Sequence, residues 1–343
     1  MKALSTVSAA ERSAAAVILN WNGWRDTIEC LESLLTSLPA DVAVIVCDNA
    51  SSDSSVERIR AWVVEHAAQW GPTMLTRDDA VAGEIAQAGR VHIVENGANL
   101  GFAAGNNSGV RLAMNNPSCR YVWILNNDTT VNSGTLPAAV ARMEADHSIG
   151  ICGSTLVYYH DRDSIQAFGG AVYSRWTGRS RHLGAFARRT EVPRDPSEVE
   201  AQMSYVVGAS MLVRREFIER VGYMREDYFL YCEEIDWASR GREHFRLGYA
   251  PESIVWHKEG ATIGTSAGGG SPLSLFYLFR NRMRYAWRFH RLYVPSVLYF
   301  CLLDVAKLMV RRRWPQVRAA MRGVMQLRGP RPGVRATEGG ARR

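Results

Sequence analysis

Through the first 130 residues, short apolar runs alternate with stretches whose apolar positions recur every three or four residues. AAAVILNW (14–21) is a β-branched run that predicts a strand buried on both faces. DTIECLESLLTSL (26–38) puts Ile28, Leu31, Leu34, Leu35 and Leu38 on one face and predicts a helix with Asp26 as its N-cap. VAVIVCDN (42–49) predicts a second strand and SSVERIRAWVVEH (54–66) a second helix. VHIVEN (91–96), the helix AAGNNSGVRLAMNN (103–116) and the strand YVWILNND (121–128) continue the series, while polar, Gly/Ala-rich 67–90 reads as a surface loop. Strands and helices alternating at this spacing predict an α/β protein with a parallel sheet.

Beyond Asp128 the pattern is mixed. IGICGSTLVYY (149–159) and YVVGASMLVRR (205–215) read as strands separated by an Arg-rich loop at about 174–200. EEIDWASRG (233–241) reads as a short helix ended by Gly241, ESIVWHK (252–258) as a strand, and TSAGGGS (265–271) as a flexible break. Two helical segments follow, 272–291 and 295–313, and then a Gly/Pro/Arg tail, 314–343, expected to be disordered, as is the lead 1–13.

Charge divides the chain. The net +7 combines a C-terminal part from Ser271 with 16 Lys/Arg against two acids and a remainder at −7, so the high isoelectric point describes the tail. Such a tail suits an anionic membrane or nucleic acid. With an acidic body and no recognition motif, nucleic acid ranks last. Segment 275–291 mixes aromatic residues with five arginines, and 294–310 is apolar but carries Asp304 and Lys307 and is short for a span. The expectation is helices on an anionic membrane surface, their arginines reaching headgroups; packing on the main domain or a homo-oligomer contact are the alternatives. Six cysteines without CxxC or metal-ligand spacing read as free thiols of a reducing compartment.

Candidate chemistry collects after the strands, where open α/β sheets bind ligands. Asn20 and Asn22 follow the first, Asp48 and Asn49 the second, Asn96 and Asn99 the third, and Asn126, Asn127 and Asp128 the fourth. One such residue commonly only caps a helix. Four strands ending alike describe a polar crevice suited to a base, a ribose and a metal. ENGANLGFAAGNNSG (95–109) leads a helix whose first amides suit a phosphate. It is not GxGxxG, and no Walker motif occurs. Asp128 is a lone carboxylate past an apolar strand, enough for a divalent cation whose remaining ligands are phosphate and water. His257 is a candidate second ligand, or a packed core histidine beside Trp256. LYCEEIDW (230–237) crowds Glu233, Glu234 and Asp236 among apolar residues, which suits either a helix N-terminus or a general base.

In order and spacing, WNGW, CDNASSDSS, NLGFAAGNNSG, LNNDT, the block VVGASML…GYMREDYFLYCEEIDWASR and VWHKEG resemble the family 2 inverting glycosyltransferases, particularly their bacterial rhamnosyltransferase-like branch. The likeness covers about 14–290. It implies a GT-A fold: a Rossmann-like, mostly parallel central sheet flanked by helices, with a nucleotide-sugar-binding half (14–130) and an acceptor-binding and catalytic half (131–264); the amphipathic basic helices (272–313) are then a C-terminal extension, expected at the membrane from their own charge and apolar pattern. By that resemblance Asn20, Asn22, Asp48, Asn49, Asn99, Gly101, Gly105, Asn106 and Asn127 surround the nucleotide sugar. Asp128 and His257 hold Mg2+ or Mn2+ against the diphosphate.

Gly208 and Trp237 would lie on the acceptor side. Glu234 would be the base, a glutamate where the family usually has aspartate, with Glu233 and Asp236 in support. The donor implied is dTDP-rhamnose or a UDP-sugar, the acceptor a saccharide or lipid-linked saccharide of cell-surface polysaccharide synthesis. The place implied is the cytoplasmic face of the cell membrane. A sugar nucleotidyltransferase would want a Gly-rich, Arg/Lys-bearing loop where this chain has NWNGWRD; a non-catalytic sugar-binding relative would not need Asp128, Glu234 and His257 together.

Overall fold

The computed structural model describes residues 14–39, 42–258 and 270–326. The lead 1–13, most of the Gly-rich break and the tail from 327 lie outside the described residues. In chain order, β1 (Ala14–Asn20), α1 (Trp24–Ser37), β2 (Ala43–Asp48) and α2 (Ser55–His66) come first. They are followed by β3 (Pro72–Thr76), α3 (Arg77–Ala82), β4 (Val91–Glu95), α4 (Gly101–Asn115) and β5 (Tyr121–Asn126). The alternation predicted for this half holds, with two corrections. Residues 67–90 are not a plain loop: the half-buried PTMLT forms edge strand β3, and Thr76 caps α3 in a reciprocal bond with Asp79. Helix α1 begins at Trp24 after Gly23, so Asp26 sits in its first turn instead of capping it.

The second half contains β6 (Thr129–Thr130), α5 (Thr135–Ala145), β7 (Ile149–Tyr158), β8 (Ile165–Phe168), β9 (Gly170–Ser174), β10 (Arg179–His182) and α6 (Ser197–Gln202). Next are β11 (Tyr205–Val206), β12 (Ser210–Arg214), α7 (Arg215–Val221), α8 (Glu233–Gly241) and β13 (Arg246–His257). The Arg-rich segment 174–200 is therefore not a single loop; it contains β10, and β9, β10 and β11 make a small antiparallel sheet. The run 205–215 is broken at Val207–Ala209 into two strands, which leaves Gly208 in a gap between sheets.

The main sheet runs β3-β4-β2-β1-β5-β12-β7-β13-β6, with β8 added to β7. Strands β3, β4, β2, β1 and β5 are parallel; β12 is antiparallel to β5 and β7. Its two faces bury separate apolar layers, one under α1, α2 and α5 and one under α4, α7 and α8. Because β1 is followed by β2 on one side while β5 pairs on its other side, the strand order reverses there. The crevice beyond the carboxyl ends of β1 and β5 is the expected ligand position.

The C-terminal part consists of α9 (Pro272–Phe289), α10 (Val294–Val310) and α11 (Trp314–Met325), packed around Phe279, Met283, Val297, Cys301, Val305 and Ala320. Residues 314–325 are helical where a disordered tail was expected: Val317, Ala320 and Gly323 recur on one face and bury against α9, Gly323 too close to Phe276 O to admit a Cβ. The arginines of α9 also depart from expectation. Arg280 reaches Asp227 O and Tyr228 O, Arg282 reaches Asp304 and Thr177 O, and Arg284 and Arg288 pair with Asp227. Their charge holds the helix to the body and not to a headgroup. All six cysteines are free.

Candidate active site

A cavity of about 340 Å³ opens beyond β1 and β5. Asn49, Asn99, Gly101, Asn127, Asp128, Gly208, Glu233, Glu234 and His257 line it, so the structure brings nine of the expected residues together. A larger cavity, about 590 Å³, lies across α8 beside Arg175, Arg242 and Tyr285 and shares none of them.

On the strand-end side, register does the positioning. Asn20 and Asp48 are direct partners across β1 and β2, and Asn20 Nδ2 donates to Asp48 Oδ1 at 2.7 Å. Ser51 Oγ donates to the same oxygen at 2.6 Å, and Thr27 Oγ1 to Asn20 Oδ1 at 2.7 Å. Asn127 Nδ2 then donates to Thr27 Oγ1 at 3.1 Å. Asn20 and Asp48 are buried within this network and do not line the cavity, which corrects their expected place beside the nucleotide; they hold Asn127 and the loop after β2 in shape. Asn22, with φ of +52°, is likewise occupied, its backbone N–H on Ser51 and its Oδ1 accepting from Ser52 N at 2.7 Å.

Helix α4 also differs from expectation. Phe102 N–H donates to Phe229 O at 2.7 Å and Gly101 N–H to Asn99 Oδ1 at 3.1 Å, so its first amides serve the protein and not a phosphate. Gly101, at φ +79°, passes so close to Phe229 that a Cβ would lie 2.1 Å from the carbonyl oxygen. Gly105 packs the helix on Leu19 and Asn49, and Asn106 is buried with its amide on Phe102 O; neither lines the cavity.

Asp128 and His257 meet because β13 pairs antiparallel with β6, His257 opposite Thr129. His257 Nε2 lies 3.1 Å from Asp128 Oδ1, and Lys258 N–H donates to Asp128 O at 3.0 Å. Lys258 Nζ, bonded at 2.6 Å to both Asp26 and Glu29, ties this strand end to α1. Gln166, buried on β8, accepts from His257 Nδ1 at 2.8 Å. Held this way, the ring turns Nε2 toward Asp128 and the cavity, with Asn126 Nδ2 at 3.4 Å. Burial works to raise the Asp128 pKa, but the His257 hydrogen bond and charge prevail and hold it below the usual carboxylate range.

The three acids of α8 separate sharply. Asp236 is fully buried, accepting from Tyr228 Oη at 2.8 Å and from Arg240 Nε at 2.8 Å, with Arg225 at 3.3 Å. It is a structural anchor. Glu233, expected to serve the helix start, is instead buried at the cavity wall with Oε2 unpartnered. Burial, reinforced by the neighbouring Glu234 charge, pushes its pKa well up. Glu234 lines the cavity, and burial there lifts it to about 7. Gly208 makes room for it: a Cβ at that position would stand 2.4 Å from Glu234 Oε1. Trp237 is withdrawn from the acceptor side altogether. Its ring packs edge-on against Phe217 in the core, and its Nε1 donates to Gly222 O at 2.8 Å.

The loop bearing these acids is bent by left-handed backbone at Phe229, Tyr231 and Cys232. Helix α9 holds it. Asn281 Nδ2 donates to the carbonyls of Tyr228, Leu230 and Tyr231 at 2.9, 2.6 and 3.0 Å, and Arg280 to those of Asp227 and Tyr228. Neither residue carried a sequence signal, nor did Gln166, whose role depends on β8 joining β7 beside His257.

Residues 15–222 match Glycosyl transferase family 2. The chain belongs to that family. It is 22% identical over 233 residues to the low-salt glycan biosynthesis hexosyltransferase Agl10 of Haloferax volcanii, covering 68% of this chain and 62% of that one. Among solved structures it resembles the mannosyltransferase PcManGT of Pyrobaculum calidifontis, in complex with GDP-Man and Mn2+ (TM-score 0.53, 15% identity, 92% of this chain and 86% of that one). It also resembles GalNAc-T7 with UDP, GalNAc and Mn2+ (TM-score 0.57, 14% identity, 80% and 47%). The family 2 chain therefore has the GT-A fold, a mixed, largely parallel sheet between helices.

Proposed function

We propose that the chain is an inverting hexosyltransferase that moves a sugar from a nucleoside-diphosphate donor to a hydroxyl of a saccharide or lipid-linked saccharide. The observation that carries this reading is Glu234, a carboxylate at about 7, opening on the same cavity as Asp128 and His257. An acceptor hydroxyl is a poor nucleophile, and a carboxylate of that pKa is matched to take its proton at neutral pH. One displacement at the anomeric carbon inverts it and needs no covalent carboxylate. Glu233, whose pKa burial and the neighbouring Glu234 charge push well up, stands beside it at the cavity wall.

Asp128 and His257 fit a divalent cation: a hard oxygen and an imidazole nitrogen face each other, with the ring oriented by Gln166. Among the described residues no cluster of three or more His, Cys, Asp or Glu occurs, which leaves the other positions to phosphate oxygens and water. When bound, Mg2+ or Mn2+ would neutralise charge on the departing diphosphate. Asn99, Asn127 and Asn49 are the amides that line the cavity on the nucleotide's side, and dTDP-rhamnose, then a UDP-sugar, are the first donors to try, with cell-surface polysaccharide assembly on the cytoplasmic side as the setting.

The test pairs binding with turnover. Calorimetry of nucleoside diphosphates with Mn2+ or with chelator should show binding that needs the metal and weakens in Asp128→Ala. A donor panel should then yield product of inverted anomeric configuration by NMR. Retained configuration, or binding indifferent to chelator, contradicts the reading.

A further inference from the structure

Helix α10 turns an apolar stripe to solvent. Pro295, Tyr299, Leu302, Ala306 and Met309 follow at intervals of three and four and are all exposed, with Leu303 and Val310 beside them. The opposite side, Val297, Cys301 and Val305, is buried against α9 and α11. Within α10 the only charges are Lys307 and Asp304, and Asp304 is turned inward to Arg282 at 3.1 Å and to Arg179. Exposed arginines stand at both ends: Arg291 before the helix, Arg311 and Arg312 after it. Exposed Trp287 and Trp314 mark the same two ends.

Charge decides what can cover this face. Between 272 and 326 the sole acid is Asp304, already engaged by arginines of its own chain. A second copy laid on the stripe would set cationic ends against cationic ends in either orientation. An anionic lipid surface neutralises both ends while the stripe enters the acyl boundary, and tryptophan and tyrosine rings suit that depth.

We propose that α10 lies flat in the headgroup region of an anionic bilayer, its Tyr299–Leu302–Met309 stripe inserted and its terminal arginines on lipid phosphates. The stretch Arg291–Val310 has the length and composition to cross a membrane. However, α10 itself, 17 residues, spans about 25 Å as a helix, short of a hydrocarbon core of about 30 Å. Crossing would also strip Val297, Cys301 and Val305 from their core and Asp304 from its arginines. The surface is thus narrower than the one the sequence suggested: of the two helices expected at the membrane, α10 alone presents it, since the α9 arginines pair within the chain. The inference does not rest on the proposed reaction.

The test is cosedimentation of the full chain with vesicles of phosphatidylcholine and of a phosphatidylcholine–phosphatidylglycerol mixture. Binding is expected only to the anionic vesicles. It should fall about tenfold or more in Leu302→Asp/Met309→Asp, which loses two inserted side chains. In Arg311→Ser/Arg312→Ser it should fall less and lose much of its salt dependence. Thermal melting of each variant checks the fold, and the arginine pair keeps the test valid if the aspartates disturb the helix. Binding unchanged in both variants, equal binding to both vesicles, or a dimer in light scattering that the aspartates dissociate without any vesicle binding would each overturn the proposal.

Discussion

The two walls of the cavity are built by opposite means. On the strand-end wall, strand register sets Asn20 opposite Asp48, and with Ser51, Thr27 and Asn127 they satisfy one another before any ligand arrives. On the opposite wall, Glu233 and Glu234 follow a loop with three non-glycine residues in left-handed conformation. Each such residue costs about 1–3 kcal/mol and persists only if its surroundings impose it. Here the imposing residues are Arg280 and Asn281, about fifty positions later on α9. The proposed donor side is thus a property of the sheet, whereas the proposed base depends on the C-terminal helices, which lie outside the family match at 15–222.

That contrast can be broken at graded strength. The largest effect should come from Glu234→Gln, with turnover falling by about 10²–10⁴ while calorimetric affinity for the nucleoside diphosphate stays near wild type; affinity falling in step with turnover would merge the two walls. Gly208→Ala crowds only the far end of Glu234, so it should leave the melting temperature nearly unchanged but cost about tenfold to a hundredfold in kcat through a displaced base. Asn281→Ala strips its donor from the Leu230 and Tyr231 carbonyls, while Tyr228 O keeps Arg280. It should lower stability by about 1–3 kcal/mol and reduce kcat more than nucleotide affinity; equal losses in both would deny a specific hold on the base loop. The smallest effect expected is at Gln166→Ala on the strand-end wall: metal-dependent nucleotide binding weaker by about tenfold, with the pH dependence of turnover unmoved.

The strand-end wall was legible because local pattern suffices there. Apolar β-branched runs followed by Asn or Asp mark strand ends, and β1, β2, β4 and β5 all appear within a residue or two of their expected bounds. What failed was finer: Asn20, Asp48, Gly105 and Asn106 looked like ligand groups but are consumed by packing, since the sequence does not show which amides already have partners. Edge strand β3 was missed because its half-buried residues carry little apolar signal. On the base wall, three acids on one short helix were indistinguishable until Tyr228, Arg225 and Arg240 claimed Asp236 and left Glu233 facing the cavity. Trp237 was misjudged for the same reason, because helical spacing puts it near Glu234 without saying that Phe217 buries it. The arginines of α9 read as a membrane face because their acceptors, Asp227 and the loop carbonyls, are distant in sequence.

The central claim is that Glu234 is the base and that burial has brought it to about 7. The sign can be followed in two ways. Since the folded protein holds a proton that an unfolded glutamate releases near 4.5, this site favours folding at low pH and loses that contribution as pH rises through 7. Catalysis runs the other way, because the base must be ionised. The most direct measurement is the pH profile of kcat/KM for wild type and Glu234→Gln. The account predicts a wild-type rise with a midpoint near 7 that is absent from the variant's residual rate; a flat wild-type profile across that range, or the same rise surviving in the variant, would contradict it.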